Sequence, residues 1–211
     1  MILKGLDVLN SITSTNCVDI ELGCGKRKRH PHAIGVDCID YDEVDIVGDV
    51  FDILYKIPDS SVNRIYSYHF FEHIQEQRKL LDECARVLIS NATMKVVVPH
   101  FSNPFYFSDP THQCLFGLYT MSYYSDDDVF SRTIPKYNND INFKLLSVKL
   151  IFKSYPPKYI RHAVKKIIQY FVNINSWAKE IYEENLVYIF PCYEIEFDLI
   201  RKSKVQRKTS K

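Results

Sequence analysis

The chain has 211 residues, of which 46% are hydrophobic and 25% charged, the values of an ordinary globular domain long enough to bury a core without disulfides. That composition excludes a disordered chain, a collagen-like chain and a coiled coil, and no apolar run approaches the ~20 residues that a membrane span needs. Net charge is +1, but the last eleven residues carry six Lys/Arg and no acid, so the remainder stands at −5 and a broad nucleic-acid footprint is disfavoured.

The basic tail 201–211 reads as a solvated end. Met1 to Lys4 lack the apolar stretch and small-residue cleavage site of a signal peptide. Six scattered cysteines (17, 24, 38, 84, 114 and 192) without a Cys-x-x-Cys spacing argue against a disulfide framework or a zinc ribbon, and point to a reducing cytosol.

In chain order, Val18 to Leu22 reads as a buried strand running into Gly23-Cys24-Gly25. Ala33 to Val36 reads as a second strand ending at Asp37, and Val44 to Val47 as a third ending at Gly48-Asp49. Val62 to Tyr68 is a fourth. Ile74 to Leu88 is a predicted helix with Leu80, Leu81, Cys84, Val87 and Leu88 on one face. Met94 to Val98 is a fifth strand, stopped by Pro99. This alternation predicts a parallel α/β sheet with helical crossovers. The second half differs. Asn103 to Ser131 is aromatic and without a period, and Phe143 to Phe152 is a predicted strand. Glu194, Glu196 and Asp198 alternate with Tyr193, Ile195, Phe197 and Leu199 in a strand expected to have one wet face. Between these two strands, Ile160, Val164, Ile167, Phe171, Ile174, Trp177 and Ile181 keep helical spacing after Pro156-Pro157, with a break expected at Asn173 to Ser176. The expected organisation is one domain over 1–200, with a helical insertion at about 154–190, and then the tail.

The sharpest signal is Glu21-Leu22-Gly23-Cys24-Gly25. An acid two residues before a G-x-G at a strand end marks a ligand cradle, because glycine lets backbone approach a ligand closely. Further acids stand at the ends of the next two strands. Asp37 is placed to accept from ribose hydroxyls and Asp49 from an adenine amino group. Such ligands bind at the carboxyl ends of strands, beside the switch in strand order. The third glycine of a dinucleotide fingerprint is missing, and only twelve positions lead from Gly25 to Asp37. A crossover helix cannot fit there, so a nucleoside without phosphates is favoured and a nicotinamide cofactor disfavoured. The Lys26 to Arg29 run is either a solvated loop or a partner for an anionic group.

Taken together, Glu21 to Gly25, Asp37, Gly48-Asp49, Glu72-His73 and Arg86-Val87-Leu88 resemble the class I S-adenosylmethionine-dependent methyltransferases, in their small-molecule branch, over roughly residues 15 to 100. The resemblance implies a Rossmann-like seven-stranded sheet with the last strand antiparallel, here with a truncated first helix. It implies S-adenosylmethionine as cofactor, with Glu21, Gly23, Cys24 and Gly25 around its methionine part. Lys26 or Arg27 would reach its carboxylate. Asp37 and Cys38 would lie at the ribose, Asp49 and Val50 at the adenine, and Tyr68 and His69 near the transferred methyl.

The segment after the fifth strand is expected over the acceptor. A hydroxyl acceptor needs its proton removed, and Asp109 and His112 are the base candidates, the acid orienting the imidazole. His69 is a further catalytic candidate, and His100 a weaker one. A metal site from His69, His73, His100 and His112 is disfavoured and no metal is expected. Phe101, Phe105, Tyr106, Phe107, Phe116, Tyr119, Tyr123 and Tyr124 are either packing or a platform for a sugar. The expected reaction is O-methylation of a small polar acceptor such as a sugar or glycan precursor. The alternative is a non-catalytic relative that binds a nucleoside or a partner chain. The helical insertion is either a cap or a homodimer surface.

Overall fold

A computed structural model describes residues 2–137 and 142–203. Most of the basic tail therefore lies outside the described residues, although its first residue, Arg201, closes the last strand, buried and donating to Ser60 Oγ at 3.1 Å. Among the described residues, nine strands form one sheet: β1 (Ile2–Lys4), β2 (Val18–Leu22), β3 (Ile34–Asp37), β4 (Ile46–Gly48), β5 (Val62–Tyr68), β6 (Leu88–Pro99), β7 (Ser125–Asp127), β8 (Phe143–Ile151) and β9 (Glu194–Arg201). Their spatial order is β1-β4-β3-β2-β5-β6-β9-β8-β7. The strands from β4 to β6 run parallel, β9 is antiparallel to both β6 and β8, and the three-residue β1 and β7 extend the two edges. The sheet is Rossmann-like with its late strand antiparallel, as expected, and has nine strands where seven are expected.

Two helices supply the packed face. Helices α2 (Val50–Lys56) and α3 (Gln77–Val87) place Ile53, Leu54, Leu80, Leu81 and Cys84 against Ile20, Leu22, Ile65, Val96 and Phe197 in one core. The sequence reading missed α2, as it did the N-terminal α1 (Leu6–Ser11), because six or seven residues are too few to display a helical period. Arg86 locks the α2–α3 pair. Its guanidinium donates to the Leu54 and Ile57 carbonyls at 2.6 and 2.8 Å, which satisfies the end of α2, and it pairs with Asp59 and Glu83 at 2.7 Å each. Inside β6, where its pairing with β5 shifts register between Leu88 and Thr93, Asn91 takes φ +63°, a conformation asparagine tolerates better than most residues.

The opposite face is wet. Tyr66, Lys95, Asp198 and Ser147 stand in one cross-strand row, and Lys95 bridges Glu196 and Asp198 at 2.5 and 2.9 Å. No helix joins β2 to β3. The 26–32 loop lies on this face instead: His30 stacks on Tyr66 with ring centroids 3.6 Å apart, and Arg29 sits 4.1 Å over Tyr68.

The insertion breaks where the sequence indicates, into α4 (Tyr159–Val172) and α5 (Ser176–Ile181). It guards the free edge of β8. Gln169 Oε1 accepts from Phe152 N at 2.9 Å, and the Asn173 amide accepts from Leu150 N at 2.9 Å and donates to Leu150 O at 2.8 Å. Side-chain amides thus stand in for a missing strand on backbone groups that would otherwise be orphaned.

Replacing Arg86 by Ala leaves two helix-end carbonyls and two carboxylates without their donor, and should cost about 2 kcal/mol. Arg86→Lys should recover less than half of that, since an ammonium cannot fork between carbonyl and carboxylate. Urea unfolding of the three proteins measures both effects.

Candidate active site

Strand order reverses between β2 and β5, so the crevice beyond their carboxyl ends is the place for a ligand. Gly23 ends β2 with φ +66°, and a Cβ there would lie 2.6 Å from Phe70, so only glycine lets the loops after β2 and β5 touch. Gly25 also has positive φ (+61°), but nothing lies within 4 Å of where its Cβ would be. That open space is bordered by Asp37, whose Oδ2 accepts from Gly25 N at 2.9 Å while Oδ1 accepts from Ile39 N at 2.9 Å. Both oxygens keep lone pairs for further donors. Asp49 begins α2 as its N-cap, Oδ1 accepting from Phe51 N and Asp52 N at 2.9 and 3.3 Å. Val50 beside it is buried and Cys38 is exposed.

Three residues expected against the ligand have other partners. Glu21 is buried, and its oxygens accept from Arg29 N and His30 N at 3.0 and 2.8 Å, so it shapes the cradle by holding the 26–32 loop. Tyr68, expected beside the methyl, is turned by strand alternation to the wet face, where its hydroxyl meets His30 Nε2 at 2.9 Å. Lys26 lies 5.6 Å over the Tyr41 ring. Burial first, then Asp37 and Glu21, push the Cys24 thiol up to about 12, so it lines the loop as a neutral group.

On the other side of the switch, the ends of β5 and β6 and the start of β9 enclose a recess of about 300 Å³. Its walls include His69, Glu72, His73, Tyr106, His112 and Tyr193. His112 Nδ1 donates to the Tyr106 carbonyl at 2.8 Å, which fixes the tautomer and leaves the lone pair on Nε2. Its Nε2 is 3.8 Å from Asp109, beyond hydrogen-bond reach, so the expected Asp109–His112 pair is not made. Asp109 instead accepts from the Thr111 backbone and hydroxyl at 2.9 and 2.6 Å. That leaves the Thr111 oxygen to accept from His73 Nδ1 at 2.9 Å. The acid therefore orients His73, through a threonine.

His69 has φ +55°, an uncommon conformation for a side-chain-bearing residue. Its ring lies 2.8 Å from Glu194 and 3.3 Å from Glu72. Burial disfavours the charged ring, but the two carboxylates outweigh it and hold the imidazolium up to about 9. Burial likewise opposes Glu194, but His69 and Lys153 keep its carboxyl down at about 2. The sequence reading placed Glu194 on a wet strand face. Glu196 and Asp198 are there, but Glu194 is buried under His69 and Lys153. Nothing local in the sequence marks it, because its partners lie 125 and 41 residues away. His100 is buried between Ser102 and Glu183 at 2.8 and 3.1 Å and stands apart from the recess. Of the eight aromatic residues proposed for an acceptor platform, only Phe105 and Tyr106 line the recess.

Glu72, His73 and His112 bring three ligand atoms within 4.8 Å of one another. The Glu72 carboxylate is fully buried beside the His69 ring, and both histidines engage their Nδ1 elsewhere, so the set offers a cation one carboxylate oxygen and two Nε2 atoms. This grouping keeps His73 and His112 of the four-histidine set that the sequence disfavours, adds Glu72, and leaves out His69 and His100.

Residues 13–95 match the family model described as a methyltransferase domain. Among solved structures, the chain is similar to a SAM-dependent methyltransferase from Archaeoglobus fulgidus, at 16% identity over 93% of this chain and 91% of that one, with a TM-score of 0.55. It is also similar to phosphoethanolamine N-methyltransferase 2 of Haemonchus contortus in complex with S-adenosyl-L-methionine, at 13% identity over 95% of this chain and 52% of that one, TM-score 0.51. At these identities the likeness is one of fold. No curated protein matches the chain. Residues 13–95 are thus a methyltransferase domain, and the strand order and glycine cradle fit one that uses S-adenosylmethionine. The chain is an enzyme, and its cofactor is S-adenosylmethionine. The residues present fit that cofactor: the space in front of Gly25 is open, and Asp37 faces it with acceptor capacity to spare.

The His69–Glu194 link contributes fully between about pH 4.5 and 6.5, the ordinary glutamate and histidine values; it fades as pH rises towards 9, where the folded state gives up the His69 proton, and as pH falls towards 2, where Glu194 takes one up. In Glu194→Gln the His69 ring should titrate well below its wild-type midpoint, which NMR of the imidazole proton measures directly.

Proposed function

We propose that the enzyme transfers a methyl group to oxygen on a small polar acceptor, a sugar or glycan precursor, held in the recess beyond β5 and β6. The observation that carries this reading is the combination of aromatic walls with a lone pair on His112 Nε2 whose tautomer is fixed by the Tyr106 carbonyl. Aromatic faces suit the apolar side of a sugar ring, and the polar groups between them suit its hydroxyls.

Bound S-adenosylmethionine supplies a methyl on a sulfonium, already electrophilic enough for in-line displacement. The side chains named here do the rest. Asp37 takes the ribose hydroxyls, and the free oxygen of Asp49 takes the adenine amino group. Gly23 and Gly25 clear the path for the methionine part, and Glu21 holds the loop that borders it. In the recess, His112 Nε2 accepts the acceptor hydroxyl proton as the new bond forms. His69 stays protonated between Glu72 and Glu194, both of its N–H groups engaged, and sets a positive charge in the wall beside the acceptor. The arrangement suits work in the reducing cytosol, where six unpaired thiols persist.

Calorimetric titration with S-adenosylmethionine and S-adenosylhomocysteine should give saturable binding, weakened about 10- to 100-fold in Asp37→Ala through loss of charged hydrogen bonds. With a sugar acceptor, His112→Ala should lower kcat by about 10²–10⁴-fold while cofactor affinity stays within a factor of a few. A His112→Ala enzyme of normal turnover would remove the histidine from the mechanism. Absence of cofactor binding in the folded wild type would remove the cradle assignment.

A further inference from the structure

Helix α4 meets the body through Val172, Ile168 and part of its polar side: Gln169 and Asn173 bond the β8 edge, Lys165 Nζ donates to the Lys153 carbonyl at 3.0 Å, and His162 Nδ1 lies 3.0 Å from the Ser154 carbonyl. The apolar stripe that the sequence spaces so regularly faces outward. Ile160, Phe171 and Trp177 are 84%, 59% and 67% exposed, and Val164, Ile167 and Ile174 join them into α5. A helix whose only task was to cover a strand edge would put polar side chains in the water. A contiguous exposed stripe of this kind marks an interaction surface.

Charge selects the partner. Residues 142–179 contain eight Lys/Arg and no Asp or Glu. Lys158, Arg161, Lys165, Lys166 and Lys179 make no ion pair among the described residues. Burial, and then the neighbouring Lys149 and Lys153, lower the Lys166 ammonium, and Glu194, already paired with Lys153 and His69, opposes this only in part. Two copies packed through this face would oppose like charges. Tyr159, Tyr170 and Trp177, all exposed, add amphipathic rings of the kind that settle at a membrane boundary. An apolar stripe, interfacial aromatics and uncompensated cations are together what an anionic bilayer surface complements.

We propose that α4 and α5 dock this enzyme on the surface of an anionic lipid bilayer, with the apolar stripe at the boundary of headgroups and acyl chains and the Lys/Arg side chains on lipid phosphates. No helix among the described residues is long and apolar enough to cross a membrane, so the association is peripheral. The docked face adjoins the site. A basic recess lined by Lys153, Lys158, Arg161 and Lys165 shares Phe105 and Tyr193 with the acceptor recess, so docking brings the mouth of the acceptor site to headgroup level.

The test has a built-in reporter, because Trp177 is the only tryptophan of the chain. The full-length protein is mixed with vesicles of phosphatidylcholine alone or of phosphatidylcholine with phosphatidylglycerol, and Trp177 emission and co-sedimentation are followed. The expected result is a blue shift and pelleting with the anionic vesicles only, reversed as added salt screens the attraction. Lys158→Gln and Arg161→Gln should each weaken partitioning about fivefold. Ile160→Glu with Phe171→Glu should abolish it while circular dichroism stays unchanged. An emission spectrum unmoved by either lipid overturns the proposal. So does an equal shift in both lipids, or a shift that follows protein concentration without vesicles, which would assign the face to a second copy. None of these readings uses an acceptor or the cofactor, so they stand apart from the outcome of the methylation assay.

Discussion

The shortness of the chain between Gly25 and Asp37 is the constraint on which the rest of this structure depends. A crossover helix normally covers the sheet there, and no room remains for one. The chain crosses instead as a tight loop over the wet face, and the buried Glu21 carboxylate holds it by two backbone N–H groups. Arg29 and His30 then lie on the Tyr68 and Tyr66 rings where helical apolar side chains would have packed. The other face can be largely apolar because α2 and α3 cover it together with Leu9, Phe116, Leu118 and Met121. The wet face can remain exposed because Lys95, Glu196 and Asp198 neutralise one another across strands.

The same economy runs through the site. Each strand-end acid has a folding task and keeps some capacity for a ligand. Asp37 closes a turn and faces open space in front of Gly25, and Asp49 caps α2 through one oxygen only. A carboxylate at a strand end therefore does not announce its role by type. Asp37 and Glu21 each accept one backbone N–H per oxygen, so what separates them is exposure: Asp37 is half-buried beside open space and Glu21 is buried. On the acceptor side, hydrogen bonds decide the tautomers. A carbonyl fixes His112, and a threonine, itself held by Asp109, fixes His73. The recess thereby presents two imidazoles of set orientation beside a histidine that two carboxylates keep charged.

The insertion between β8 and β9 answers a different problem. Beyond the short β7, β8 would expose its outer backbone groups, and the amides of Gln169 and Asn173 satisfy them. Meeting that requirement turns part of the polar side of α4 inward. The apolar stripe is then left facing outward, beside a segment without acids. One local demand for hydrogen bonds thus produces the exposed surface to which we assign a lipid partner.

The sequence by itself determined the parallel strands, the glycine cradle, the acids at three strand ends, the absent first helix and the break at Asn173. These are properties of short windows, in which period, turn chemistry and chain length act directly. It also carried the motifs that resemble a methyltransferase, because those residues lie close together in the chain. Only the tertiary structure decided that Asp109 serves His73 rather than His112, that Tyr68 turns away from the cleft, that Glu194 is buried against His69, and that the stripe on α4 faces outward. Each of these depends on which distant element supplies the partner. The residue patterns are the same whether a strand face is covered by a helix or by a loop, and whether a helix presents its polar or its apolar side to a sheet edge. The unsatisfied backbone of β8 and the missing crossover helix make that choice, and neither is visible until the strands are paired.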